Sequence, residues 1–126
     1  MKLEPTAIVL YVNNLSISSH FYEDILGIIP EATSPSFHTF KLSNGMDLGL
    51  KAKYALLLPA NEKSNDSELA FTVDNNNKVD VLFAIWQEKK VNIALPPTIE
   101  PYGYTFIALD PDLNRLRVVG LGNQCR

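Results

Sequence analysis

The feature that most constrains this chain is a repeat. Ile8-Val9-Leu10-Tyr11-Val12-Asn13-Asn14 is an apolar run ending in a polar turn, and about sixty residues later Leu69-Ala70-Phe71-Thr72-Val73-Asp74-Asn75 has the same form. Each run predicts a strand, and each is followed by a helical pattern. In the first half Ile17, Phe21 and Ile25 fall four apart, Tyr22 and Leu26 widen the stripe, Ser16 is a candidate N-cap and Gly27 a candidate stop. In the second half Val79, Leu82, Phe83 and Trp86 have i, i+3, i+4, i+7 spacing, so Trp86 reads as core. Lys89 and Lys90 close that helix with charges that suit its C-terminal dipole.

Short β-like runs follow each helix. The first half offers residues 37–42, the turn Ser43-Asn44-Gly45, residues 46–53 and a further short run at 55–58. The second offers residues 91–95, a bend at Pro96 and Pro97, residues 104–109, the turn Asp110-Pro111-Asp112 and residues 115–121. Residues 95–101 read as a connector. Each half is therefore a strand, a helix and about three strands, an α+β arrangement. Module one covers about residues 5–58, a polar linker 59–67 and module two about 68–122. Halves this small are expected to share a core as a single domain.

Composition narrows the functional classes. A formal net charge of −3 offers no attraction to nucleic acid or anionic lipid, and no apolar run approaches the length of a membrane span. Pro5 and polar neighbours interrupt any secretory leader pattern, and the lone Cys125 allows no internal disulfide framework. A cytoplasmic protein is the expectation.

The repeat, together with Val12-Asn13-Asn14-Leu15, Phe21-Tyr22 followed by Leu26-Gly27, and Asp110-Pro111-Asp112 with Asn114, resembles the vicinal oxygen chelate (glyoxalase/bleomycin-resistance/dioxygenase) superfamily. The resemblance runs from about Thr6 to Gly120. Leu113 stands where the family turn usually has glycine, which matters because glycine tolerates positive φ and leucine does not. The resemblance implies paired βαβββ modules whose sheets curl into half-barrels around a cavity, often across a homodimer interface. It also implies four metal-ligand positions, one at the start of each module's first strand and one on each last strand.

Those positions fall on Ala7, Gly49, Glu68 and Arg117. Alanine and glycine have no ligating side chain, and a guanidinium is permanently charged and repels a metal. Neither metal nor other cofactor is expected. Glu68 and Arg117 instead predict a carboxylate–guanidinium pair where the metal would sit; the alternative is two separate solvated charges.

Other residues extend the candidate ligand site. His38 alternates with Phe37 and Thr39 and is a candidate cavity hydrogen-bonding group or base, against the alternative of an exposed strand histidine. His20, in mid-helix, reads as half exposed and Glu100 as solvated. Tyr102 and Tyr104 flank Gly103 at the mouth of a cavity-forming strand, and Phe40, Tyr54 and Tyr104 are candidate walls for a flat ligand. The resulting expectation is a metal-free binder of a small organic molecule such as an antibiotic, working as a homodimer. The alternative is a lyase, isomerase or dioxygenase-type enzyme using Glu68 or His38 without the usual metal site.

Overall fold

A computed structural model describes residues 1–57 and 67–121. The chain divides into two compact units, Met1–Lys63 and Ser64–Arg126. The first contains β1 (Ala7–Val12), α1 (Leu15–Leu26), β2 (Glu31–Ser34), β3 (Phe37–Lys41), β4 (Asp47–Ala52) and a 3-10 turn, Lys53–Ala55. The second contains β5 (Glu68–Val73), α2 (Asn76–Glu88), β6 (Asn92–Glu100), β7 (Gly103–Leu109) and β8 (Arg115–Gly120). The sheets have strand orders β1-β4-β3-β2 and β5-β8-β7-β6. In both, the first strand pairs in parallel with the last and the other neighbours are antiparallel. The α+β repeat is thus two open four-stranded mixed sheets, each with one helix.

Each helix covers one face of its own sheet. In the first unit Leu10, Val12, Phe40, Leu48, Leu50 and Ala52 are all buried, and the register places them on one side. Tyr22 of α1 meets Phe40 edge-on at 6.4 Å between ring centroids. In the second unit Phe106 meets both Phe83 (5.3 Å) and Trp86 (5.5 Å) of α2, and Trp86 also meets Phe71 at 5.9 Å. Trp86 is core, as its helical spacing predicts. Burying each large apolar side chain stabilises by about 1.5–3 kcal/mol, so these aromatic clusters dominate the energetics of their units.

Several local expectations are corrected. The cap of α1 is Asn14, whose Oδ1 accepts from the Ile17 amide at 3.0 Å, rather than Ser16. The helix therefore starts earlier, and Leu15, Ser18, Ser19 and Tyr22 form its buried stripe while Ile17 is exposed. Gly27 does end the helix, in the left-handed conformation at φ 73°. Lys89 and Lys90 lie just past α2, and Lys90 itself takes a left-handed φ of 62°.

The third strand of the first unit's hairpin is β2, not the run at 55–58. Residues 53–55 form the 3-10 turn, and Leu58 lies outside the described residues. In the second unit Pro96 and Pro97 do not end a strand. They lie within β6, an edge strand whose register shifts there, so their missing amides disturb little of the ladder. The expected linker, apart from Ser67, and Cys125 lie outside the described residues. Among the described residues no helix is long and apolar enough to cross a membrane.

The turn between β7 and β8 is built on Asp110, which is buried. Its Oδ1 accepts from the Asp112 and Asn114 amides at 2.9 and 2.8 Å, and its Oδ2 from Asn114 Nδ2 at 2.9 Å. Leu113 adopts φ 69°, so the glycine-type turn survives with a leucine held in the left-handed region.

Candidate functional site

β8 has two faces. Leu116, Val118 and Gly120 point to the α2 side, since Val118 and Leu116 are register partners of Phe106 and Ala108, and Gly120 abuts Asn75 and Asn76 at the start of α2. Arg117 alternates with them and lies on the face turned away from the helix, between its register partners Ala70 and Ile107. Glu68 shares that face, displaced diagonally by two residues along β5.

The two side chains meet as a two-pronged pair. Arg117 Nε donates to Glu68 Oε2 at 2.9 Å and Nη2 to Oε1 at 3.2 Å. The side chains remain only 20% and 35% exposed, enough screening to keep the pair's contribution to stability small but its geometry defined. The bond to Glu68 raises the pKa of the guanidinium still further, so Arg117 stays charged throughout the ordinary pH range.

Tyr102 completes the cluster. Pro101 and Tyr102 form the tight turn between β6 and β7, and the next residue, Gly103, has φ 142°, a backbone conformation that residues with a Cβ avoid. The turn lays the Tyr102 ring 5.0 Å from Arg117 Cζ, with the hydroxyl accepting from Nη1. Arg117 therefore spends three of its five N–H donors on Glu68 and Tyr102 and keeps two. The Tyr102 hydroxyl retains its own proton to donate. The result is a donor-rich edge flanked by Ala70 and Ile107, with Val119 and Thr105 on the same face.

The remaining predicted residues stand elsewhere within their own units. Tyr104 lies on the helix side of β7, where its hydroxyl donates to Asp80 Oδ1 of α2 at 2.6 Å; that bond raises the phenol pKa. Phe40 is fully buried beneath α1, a core residue rather than a ligand wall. His38 also faces α1, with Nδ1 2.8 Å from Ser19 Oγ. Tyr54 stands out on the 3-10 turn at 79% exposed. Three of these four side chains share one cause: period-two alternation groups Phe40 with His38, and Tyr104 with Phe106, but the sign of each group depends on which face the helix covers. Conversely, Ala70, Ile107 and Val119 went unnoticed in the sequence, although alternation about Arg117 would have found them.

The four positions that the resemblance assigned to metal ligands do not fit a divalent ion. Ala7 and Gly49 supply no donor, and the space above Gly49 is taken by the Phe37 ring, whose Cζ lies 2.5 Å from where a Cβ would stand. Both oxygens of Glu68 are held by the guanidinium. Among the described residues no three His, Cys, Asp or Glu side chains converge in a way that could hold a metal.

A chain of two βαβββ-type units with this register belongs to the glyoxalase class of folds, and comparison with known proteins agrees. The glyoxalase-like domain family matches residues 6–120, and the chain is a member of it. The solution structure of protein ATC0852 from Agrobacterium tumefaciens is 39% identical, with a TM-score of 0.83 over 97% of this chain and all of that one. A glyoxalase-related enzyme from Fulvimarina pelagi has a TM-score of 0.79 at 20% identity, over 94% of this chain and 88% of that one, a likeness of fold alone. Among characterised proteins, the phenazine antibiotic resistance protein EhpR of Enterobacter agglomerans is 27% identical over 94% of this chain and 93% of its own length.

Proposed function

We propose that this protein captures a small, planar aromatic molecule bearing hydrogen-bond acceptors, holds it against the Arg117–Tyr102 edge of the second unit, and does so without a metal or a chemical step. The observation that carries this reading is the donor inventory of Arg117: two N–H groups remain after Glu68 and Tyr102 have fixed its plane. A fixed guanidinium with free donors recognises a carboxylate or carbonyl, and the apolar residues beside it suit an aromatic ring. The likeness to a phenazine resistance protein supports a tricyclic heteroaromatic as the first ligand to try.

The same geometry works against the enzymatic alternative. A general base needs an accessible lone pair near the substrate. Each oxygen of Glu68 already spends a lone pair on the Arg117 guanidinium, and His38 is tied to Ser19 on the helix side of the first unit's sheet.

Calorimetric titration with phenazine-1-carboxylate in the presence of a chelator tests the proposal. Saturable binding is expected, weakened about tenfold or more in Arg117→Met by loss of charge-assisted hydrogen bonds. Thermal stability should change by less than about 1 kcal/mol, because the pair is partly solvated. Binding unchanged in Arg117→Met, or conversion of the bound compound to a product, would overturn it.

A further inference from the structure

The first unit has a cleft that the proposed function does not use. It lies between α1, the chain that follows Gly27 and the β2–β3 hairpin, and has a volume of about 360 Å3. That is at the small end of the range for ligand sites, about 300–1,000 Å3. One wall is apolar: Ile29, Pro30 and Pro35. The other carries His20, Glu23 and His38, and no lysine or arginine lines the cleft.

The bonding state of these polar groups gives the cleft a sign. His20 Nδ1 lies 2.8 Å from the Ser16 carbonyl oxygen, which can only accept, so Nδ1 carries the proton and Nε2 of the neutral ring is an acceptor. The Glu23 carboxylate makes no ion pair or hydrogen bond among the described residues; the Glu23 backbone carbonyl accepts from the Gly27 amide. Ser19 and His38 hold each other at the floor at 2.8 Å. An unneutralised carboxylate and an imidazole lone pair thus line the same cleft as an apolar wall.

We propose that this cleft is a second ligand site, selective for small organic ammonium compounds with an apolar body. The ammonium donates to Glu23 and to His20 Nε2, exchanging hydration for charge-assisted hydrogen bonds. The body lies on Ile29, Pro30 and Pro35, where it leaves water. An anionic ligand is disfavoured because the cleft carries the Glu23 carboxylate and no lysine or arginine. The site shares no residue with the Arg117 cluster, so the two proposals stand or fall separately.

The test uses the full-length, nitrogen-15-labelled protein, titrated with benzylammonium chloride and, in parallel, with benzyl alcohol as its neutral counterpart. Saturable shifts are expected at the Ser19 and Glu23 amides and at the His20 and His38 rings, with benzyl alcohol at least about tenfold weaker. Glu23→Gln, which keeps size and polarity, should weaken benzylammonium about tenfold. Shifts absent from these residues, equal binding of the alcohol, or an unchanged affinity in Glu23→Gln would each overturn the proposal.

Discussion

At Gly49, the third residue of β4, the first unit has no side chain and lays the Phe37 ring across the gap. At Arg117, the third residue of β8, the second unit has a long cation, held by Glu68 and Tyr102. The positions are equivalent: Gly49 pairs with Val9 and Arg117 with Ala70, each the third residue of its unit's first strand. Ala7 and Glu68, the opening residues of those strands, differ in the same sense. One copy of the repeat thus fills its helix-free face with an aromatic ring, and the other arms it with hydrogen-bond donors. The helix-facing residues are mostly apolar in both, with His38 and Tyr104 as the polar members. In the second unit the core and the proposed Arg117 binding edge therefore lie on opposite faces of the same strands.

The units also differ in how their cores are knit, and the largest expected effect tests that. Truncating a buried aromatic costs about 3–5 kcal/mol. Phe106 touches two helix aromatics at under 6 Å, whereas Phe40 touches one at 6.4 Å. Urea unfolding should therefore show Phe106→Ala more damaging than Phe40→Ala, by about 0.5–1.5 kcal/mol. An equal loss would mean that the two cores are equivalent despite the extra ring contacts.

Next in size, giving the first unit the second unit's residue should fail for lack of room. Gly49→Arg is expected to cost about 1–3 kcal/mol, because even its Cβ meets the Phe37 ring. Adding Phe37→Ala should restore much of that loss in the same unfolding measurement. If Gly49→Arg is harmless by itself, Phe37 is not what closes this face.

A smaller difference lies between β7 and α2. Tyr104→Phe removes the bond to Asp80 and should cost about 1 kcal/mol at neutral pH. Because that bond raises the pKa of Tyr104 in the folded state, its contribution is complete below the unfolded tyrosine value and is lost as pH rises through the higher folded one. The stability gap between parent and variant should accordingly shrink above about pH 10. A gap that does not change with pH would show that the hydroxyl contributes by packing alone.

The smallest change should stabilise. Leu113 has φ 69° and is largely exposed, so Leu113→Gly trades little packing for relief of left-handed strain, a gain of about 0.5–1 kcal/mol in thermal unfolding. A loss instead would show that the leucine side chain contributes more than its backbone conformation costs.

Much of this architecture is legible in the sequence for physical reasons. Apolar runs with turn residues at their ends mark β1, β3, β4, β5, β7 and β8, and the i, i+3, i+4, i+7 stripe marks α2. β2 escapes because Glu31-Ala32-Thr33-Ser34 is a mostly exposed edge strand without apolar alternation. The prolines of β6 mislead because an edge strand tolerates what a central strand would not. The Glu68–Arg117 pair is legible only through the resemblance, since the two residues lie far apart in the chain.

By itself, then, the sequence determined the duplicated element pattern, the absence of donor side chains at Ala7 and Gly49, and the charge opposition of Glu68 and Arg117. Only the tertiary structure decided which side of each strand the helices cover. That choice sent Phe40, His38 and Tyr104 to the helix side and left Arg117 and Tyr102 on the other. The physical reason is the two-residue period of a strand. It sorts side chains into two sets, but the helix packed against one set is what makes it the inside.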